Sequence, residues 1–144
     1  MFMAYDRILL VATIVLGGCG AEPSGVLPVS QIAGEYELTR YFGQSLPADN
    51  FGRGTVEAKH VSLLADQRFT RTYKGELCVL GSCARADGSD SGVWMVLADG
   101  TLYFDSNTST SWPPQRVTAN GRELRFMISS GEGQFTTSEI YERR

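Results

Sequence analysis

The chain predicts an all-β fold, an eight-stranded antiparallel up-and-down barrel, on three observations. Gly, Ser and Thr are abundant and aromatic residues well represented, while no stretch keeps the 3.6-residue apolar period of a packed helix. Short runs rich in Val, Ile, Thr, Tyr, Phe and Trp alternate apolar with polar residues instead. A weak repeat punctuates them: Leu64-Ala65-Asp66-Gln67, Leu97-Ala98-Asp99-Gly100 and Thr118-Ala119-Asn120-Gly121 each set Ala-Asp or Ala-Asn between two such runs. Asp-Gly and Asn-Gly tolerate positive φ, so the tight turns they make match the twist of the flanking strands.

Taken in order, strands are expected over residues 33–42, 54–65, 68–75, 92–98, 101–105, 114–118, 122–129 and 134–142. Sequential hairpins of this kind close on themselves, which removes exposed edges. Alternation assigns an inner face to Tyr36 and Leu38, Phe69 and Tyr73, Trp94 and Val96, Leu102 and Phe104, Leu124, Phe126 and Ile128, and Phe135 and Tyr141. The same parity points Arg40, Arg71 and Glu139 inward. Inward charges must be paired, so these would form a structural bridge or the polar end of a cavity; a shifted register that takes them to solvent is the other reading. The second strand keeps no single parity, since Val56 and Ala58 favour one face and Val61 and Leu63 the other. A bulge near His60 would reconcile them.

Domain organisation is read from the N-terminus. Residues 8–16 form an apolar run of nine, short of the roughly twenty that a helix needs to span a bilayer and suited to a signal-peptide core. The run ends in Leu16-Gly17-Gly18-Cys19, which resembles a bacterial lipobox. That resemblance implies cleavage before Cys19 and acylation of its thiol and amine, and two or three acyl chains anchor a protein stably where one does not. Residues 1–18 are therefore expected to be a lipoprotein signal peptide, 19–30 the lipidated cysteine with a Pro-, Gly- and Ser-rich tether, and 31–144 the barrel domain. Gly20 stands where an Asp would retain an enterobacterial lipoprotein at the inner membrane, which implies the outer membrane, facing the periplasm.

Charge and cysteine content narrow the function. A formal net charge of −3 with scattered bases excludes nucleic acid as a partner, because phosphate binding needs a basic patch. With Cys19 used for lipid, Cys78 and Cys83 remain, and outside the cytoplasm this pair reads as a disulfide across a four-residue hairpin loop with Gly81 in the turn. A redox site would want Cys-x-x-Cys, and a zinc site more ligands than two thiols and one histidine, so neither metal nor cofactor is expected.

The segment Ile32-Ala33-Gly34-Glu35-Tyr36-Glu37-Leu38, the Gly92-Val93-Trp94 opening of a middle strand and the Tyr141 to Arg144 ending resemble small bacterial lipocalin-like lipoproteins. Tyr36 stands where that family carries a tryptophan. The resemblance implies that Arg143 packs over the Tyr36 ring and closes one barrel end, a cation–π contact of about 0.5–2 kcal/mol. The same opening with a nearby cysteine pair also resembles bacterial metalloprotease inhibitors built on an eight-stranded barrel. Those act through a free N-terminal trunk, whereas here the N-terminus is expected to be tethered.

Catalytic chemistry is sparse. His60 is the one histidine and has no serine nucleophile motif to serve. Gly88-Ser89-Asp90-Ser91-Gly92 puts aspartate at the centre of a superficially hydrolase-like motif. Residues 87–92 space oxygen ligands as a calcium loop would, but Ala98 falls where the closing acid belongs, so a solvated turn is expected. The polar loop 105–112 would rim the barrel mouth, with Trp112 as a lid. The chain is thus not expected to be an enzyme. Two functions stay open. One is a membrane-anchored carrier of a small apolar or amphipathic ligand, with Tyr36, Arg40, Phe69, Arg71, Tyr73, Trp94, Trp112 and Glu139 as candidate contacts. The other is a protein-partner module of the envelope, inhibitor-like or an assembly accessory, with a barrel filled by its own side chains.

Overall fold

The structure, a computed structural model, describes residues 25–107 and 115–144. The expected leader, Cys19, the tether as far as Ser24, and Trp112 lie outside the described residues. One helical turn, α1 (Val29–Ile32), precedes β1 (Gly34–Tyr41), two short strands β2 (Gln44–Ser45) and β3 (Ala48–Asp49), then β4 (Gly54–Leu63) and β5 (Arg68–Val79). There follow β6 (Ser82–Arg85), β7 (Gly88–Val96), β8 (Leu102–Ser106), β9 (Gln115–Ala119), β10 (Glu123–Gly131) and β11 (Gln134–Arg143). β1, β4, β5, β7, β8, β9, β10 and β11 form a closed antiparallel ring: β1 pairs β4 with Gly34 opposite Leu63, and the ring shuts where the last strand, β11, returns to β1 with Tyr36 opposite Arg143 and Leu38 opposite Tyr141. This is the eight-stranded up-and-down barrel expected from the hairpin repeat. β2 and β3 extend β1 and β4 beyond the ring, and β6 folds back on β5 alone.

The repeat turns all fall at one end, as an up-and-down path requires. Leu64 N–H bonds Arg68 O at 2.9 Å, and Leu97 N–H bonds Thr101 O at 2.8 Å. Asn120 Oδ1 accepts the amides of Arg122 and Glu123 at 3.0 and 2.8 Å while Gly121 takes φ 83°. That end is closed. Leu27, Val29 and Ile32 pack onto the core, so the chain joins the barrel a few residues before Gln31. The Tyr36 hydroxyl donates to Ile32 O and Trp94 Nε1 donates to Leu64 O at 3.1 Å. The Arg143 guanidinium lies 5.5 Å from the Tyr36 ring centroid and donates to Ala33 O, the cap expected of this residue pair.

Midway along the barrel an aromatic chain crosses the interior. Phe69 meets Phe104 at 5.1 Å, Phe104 meets Phe126 at 5.6 Å, and Phe126 meets Tyr141 at 5.2 Å between centroids. Burying these rings with Trp94, Leu38, Leu102 and Leu124 supplies the main driving force for folding, at about 1.5–3 kcal/mol for each large side chain.

Three bulges decide which side chains reach that interior. On β4 the extra residue is Glu57, between Val56 and Ala58, three positions before the expected His60. It lets Val56, Val61 and Leu63 all be buried. On β1 the register slips between Leu38 and Arg40, and Arg40 is carried outward to solvent, where its guanidinium reaches Gly43 O at 3.4 Å. On β11 the extra residue is Ser138, whose hydroxyl donates to Phe126 O at 3.1 Å. Past it Thr136 takes the parity of the inward row, and Phe135 faces out, 44% exposed. The inward expectations for Arg40 and Phe135 are thus corrected by one-residue insertions that reverse parity.

Candidate functional site

The open end of the barrel gathers the chemistry. β1, β5, β8 and β10 run towards it and β4, β7, β9 and β11 away from it, so Tyr41, Lys59, Arg71, Asp90, Ser106 and Glu139 stand at similar height. Glu139 is buried: one carboxylate oxygen pairs with Lys59 Nζ, the other accepts the Tyr141 hydroxyl at 2.7 Å. Lys59 Nζ also sits 5.1 Å from the Tyr41 ring centroid, and the Tyr41 hydroxyl donates to Asn50 Oδ1 at 2.8 Å. Beside them Arg71 Nη2 donates to Asp90 Oδ2 at 3.4 Å, and Ser106 Oγ donates to Asp90 Oδ1.

The electrostatics of this layer follow from burial. Desolvation, then the neighbouring Glu139 carboxylate, push the Tyr141 hydroxyl well above the ordinary tyrosine range. The same two causes raise Tyr41. Each buried carboxylate has a cation beside it, as charges in a low-dielectric interior must. The arrangement is a polar plug over the aromatic layer, with neither a histidine nor a metal-ligand cluster in it. His60 lies apart, with Nε2 2.9 Å from Glu35 Oε2, and no group of three or more His, Cys, Asp or Glu able to hold a metal occurs among the described residues.

The residues singled out from sequence therefore separate. Arg71 and Glu139 do face inward, yet they pair with Asp90 and Lys59 rather than with each other. Tyr36, Phe69 and Trp94 are sealed in the core and belong to the scaffold. Tyr73 keeps inner-face parity but lies at the mouth, 40% exposed, leaning over Gly88. Lys59 and Ser106 carry no signal in the sequence reading, and Asp90 enters it only within the turn expected over residues 87–92. β7 starts at Gly88, so the expected turn over residues 87–92 is mostly strand. Counting alternation back from Trp94 through Gly92 would have placed Asp90 inside, and the Glu57 bulge hid Lys59.

Above the plug a cleft of about 290 Å³ opens along β4 and β5, with Val56, Lys59, Tyr73, Gly75, Leu77 and Ala86 among the residues that line it. β5 then runs past the barrel and turns into β6 through two residues, Leu80 and Gly81, both at positive φ. The hairpin loop is thus two residues rather than four, with Val79 opposite Ser82 and Cys78 opposite Cys83, their sulfurs at disulfide distance, 1.97 Å. The projecting hairpin exposes Leu77, Val79 and Leu80, and Phe51 is exposed in the loop before β4. The Cys78 amide bonds Arg53 O at 2.8 Å, which ties that loop to the hairpin.

Fold and site together define a closed eight-stranded up-and-down barrel with a plugged interior and a decorated mouth. No protein-family model, curated protein or solved structure matches this chain. No helix among the described residues is long and apolar enough to cross a membrane.

Proposed function

We propose that this chain is a lipoprotein of the bacterial envelope, anchored at Cys19, whose barrel is a rigid scaffold and whose open end binds a protein partner. The observation that carries the reading is the set of exposed apolar side chains Leu77, Val79 and Leu80 on a hairpin cross-linked at Cys78 and Cys83, with Phe51 exposed on the loop tied to that hairpin through Arg53. Exposed apolar groups held on a rigid projection are what interface anchors require, because little conformational entropy is lost when they dock. The aromatic chain and the Lys59–Glu139 and Arg71–Asp90 pairs occupy the interior a deep ligand would need. On this reading the lipocalin-like architecture serves presentation rather than transport, and no catalytic step is assigned.

Site-specific photocrosslinking in cells tests it. A crosslinker replacing Leu80 should capture one discrete partner, and the same group replacing Arg125, on the outer wall, should not. Capture from both positions alike, or from neither, would remove the proposal. A second reading rests on the mouth cleft, where an amphipathic ligand of modest size would lie against Tyr73 and Leu77 with its polar end at Lys59. Native mass spectrometry of residues 20–144 distinguishes the two: a small-molecule adduct that leaves on denaturation supports the cleft.

A further inference from the structure

The outer wall of β7 and β8 carries an apolar stripe that neither the core nor the mouth uses. Val93 and Met95 point outward from β7, Leu97 continues the line into the closed-end turn, and Tyr103 lies directly opposite Met95 on β8. All four are two-fifths to half exposed, although they sit on adjacent strands. Where the described chain begins bears directly on this stripe. Val26 lies against the β7–β8 turn, since a Cβ added at Gly100 would stand 3.8 Å from Val26 Cγ2. The chain leading back to Cys19 therefore departs beside the lower end of the stripe.

Reach limits what the anchor allows. Six Cα steps separate Cys19 from Gly25, a span of at most about 22 Å. β5 has twelve residues, and at about 3.3 Å each with the tilt usual in barrels they rise roughly 28 Å from the closed end to the hairpin. A bilayer holding Cys19 cannot also lie across the mouth. It can lie against the closed end or the flank beside Val26.

We infer that the Val93–Met95–Leu97–Tyr103 stripe rests in the headgroup region of the bilayer that holds the Cys19 acyl chains. This rests on the anchored-lipoprotein reading. Apolar burial beside a lipid anchor supplies the second signal that steadies membrane attachment, and tyrosine suits an interface with one apolar and one wet side. The charges bordering the stripe are Arg68 and Asp105, both opposite Val93, with Asp66 bound to Arg68, and Asp99 in the turn with Arg116 of β9 near it. They carry no cationic excess, so the contact does not need anionic lipid. In this orientation the bilayer leaves the mouth uncovered.

The test uses the full acylated chain in phosphatidylcholine vesicles that include a lipid with a nitroxide on its headgroup. Single fluorescent labels are attached through Met95→Cys and, on the far flank, Glu142→Cys. Quenching is expected to be at least about twofold stronger at position 95, in line with burial of 5–10 Å into the interface. In a chain labelled at 95, Val93→Asp with Tyr103→Asp should erase that difference, and raising the salt should not. Equal quenching at the two positions, or crosslinking of label sites between copies without quenching, overturns the proposal even when mass spectrometry finds the acyl chains on Cys19. An unacylated Cys19 is read from the mass alone; it removes the anchor reading and this inference together.

Discussion

Tyr141 shows how one hydroxyl can hold several charges in place. It is fully buried, it donates to Glu139, and Glu139 in turn holds Lys59 at the mouth. Tyr141→Phe keeps the ring in the aromatic chain and removes only the donor. The buried carboxylate would lose one of its partners, so a destabilisation of about 1–3 kcal/mol is expected in urea denaturation. A pH dependence accompanies it. Because the folded state holds the Tyr141 proton more tightly than the unfolded chain does, its contribution is complete below the ordinary tyrosine value of about 10 and is lost as pH rises through the raised one. The stability gap between wild type and Tyr141→Phe should therefore narrow above about pH 10, and a gap that stays constant would contradict the raised value. At the other end, Arg143→Met removes the cation over Tyr36 and the bond to Ala33 O while keeping some of the stem. Thermal unfolding should register a loss of about 1 kcal/mol.

At the scale of elements, close strand approaches and bulges do the positioning. Phe69 lies opposite Gly92, and a Cβ at Gly92 would stand 1.9 Å from Asp105 O and 2.9 Å from the Phe69 ring. Gly92→Ala would force β7 away from β8 or the ring off its seat, with an expected cost of about 1–3 kcal/mol in chemical denaturation. Those two strands hold the lipid-facing stripe proposed above, so the same variant should weaken the quenching at position 95. The β5–β6 hairpin behaves differently because it projects from the ring. Replacing Cys78 and Cys83 by serine releases a six-residue loop, worth about 2 kcal/mol of denatured-state entropy. Hydrogen exchange should then quicken in β6 and the end of β5 while the barrel amides stay protected. Loss of protection around the whole ring would mean that the hairpin is part of the cooperative core.

For the molecule as a whole, the two ends carry different work. The closed end receives the N-terminal segment and is sealed by α1, Tyr36, Trp94 and Arg143, whereas the mouth carries the polar plug, the cleft and the apolar hairpin. A single core spanning the aromatic layer should unfold in one transition, with tryptophan fluorescence and far-ultraviolet dichroism coincident. Separate transitions would show that the mouth melts on its own. The short reach of the proposed anchor keeps the bilayer off the partner-binding end, which is what a presenting scaffold needs.

Sequence alone determined the fold class, because Ala-Asp and Ala-Asn turns impose hairpins through local φ preferences and alternation imposes a buried face. The Cys78–Cys83 pairing was also legible, since places in a hairpin can be counted, and the Tyr36–Arg143 cap was what the resemblance to lipocalin-like barrels implied. Which charges lie inside was settled only by the tertiary structure. Parity holds along a strand until a residue is inserted; the insertion at Glu57 shows in the sequence only as broken parity with its place three residues off, and the insertion at Ser138 and the slip after Leu38 leave no local mark. They are set by the ring having to close, a constraint between the first strand, β1, and the last, β11, that no single segment encodes. The same holds for the stripe on β7 and β8: its alternation is legible, but its nearness to the departing N-terminal chain exists only once Val26 has folded against Gly100.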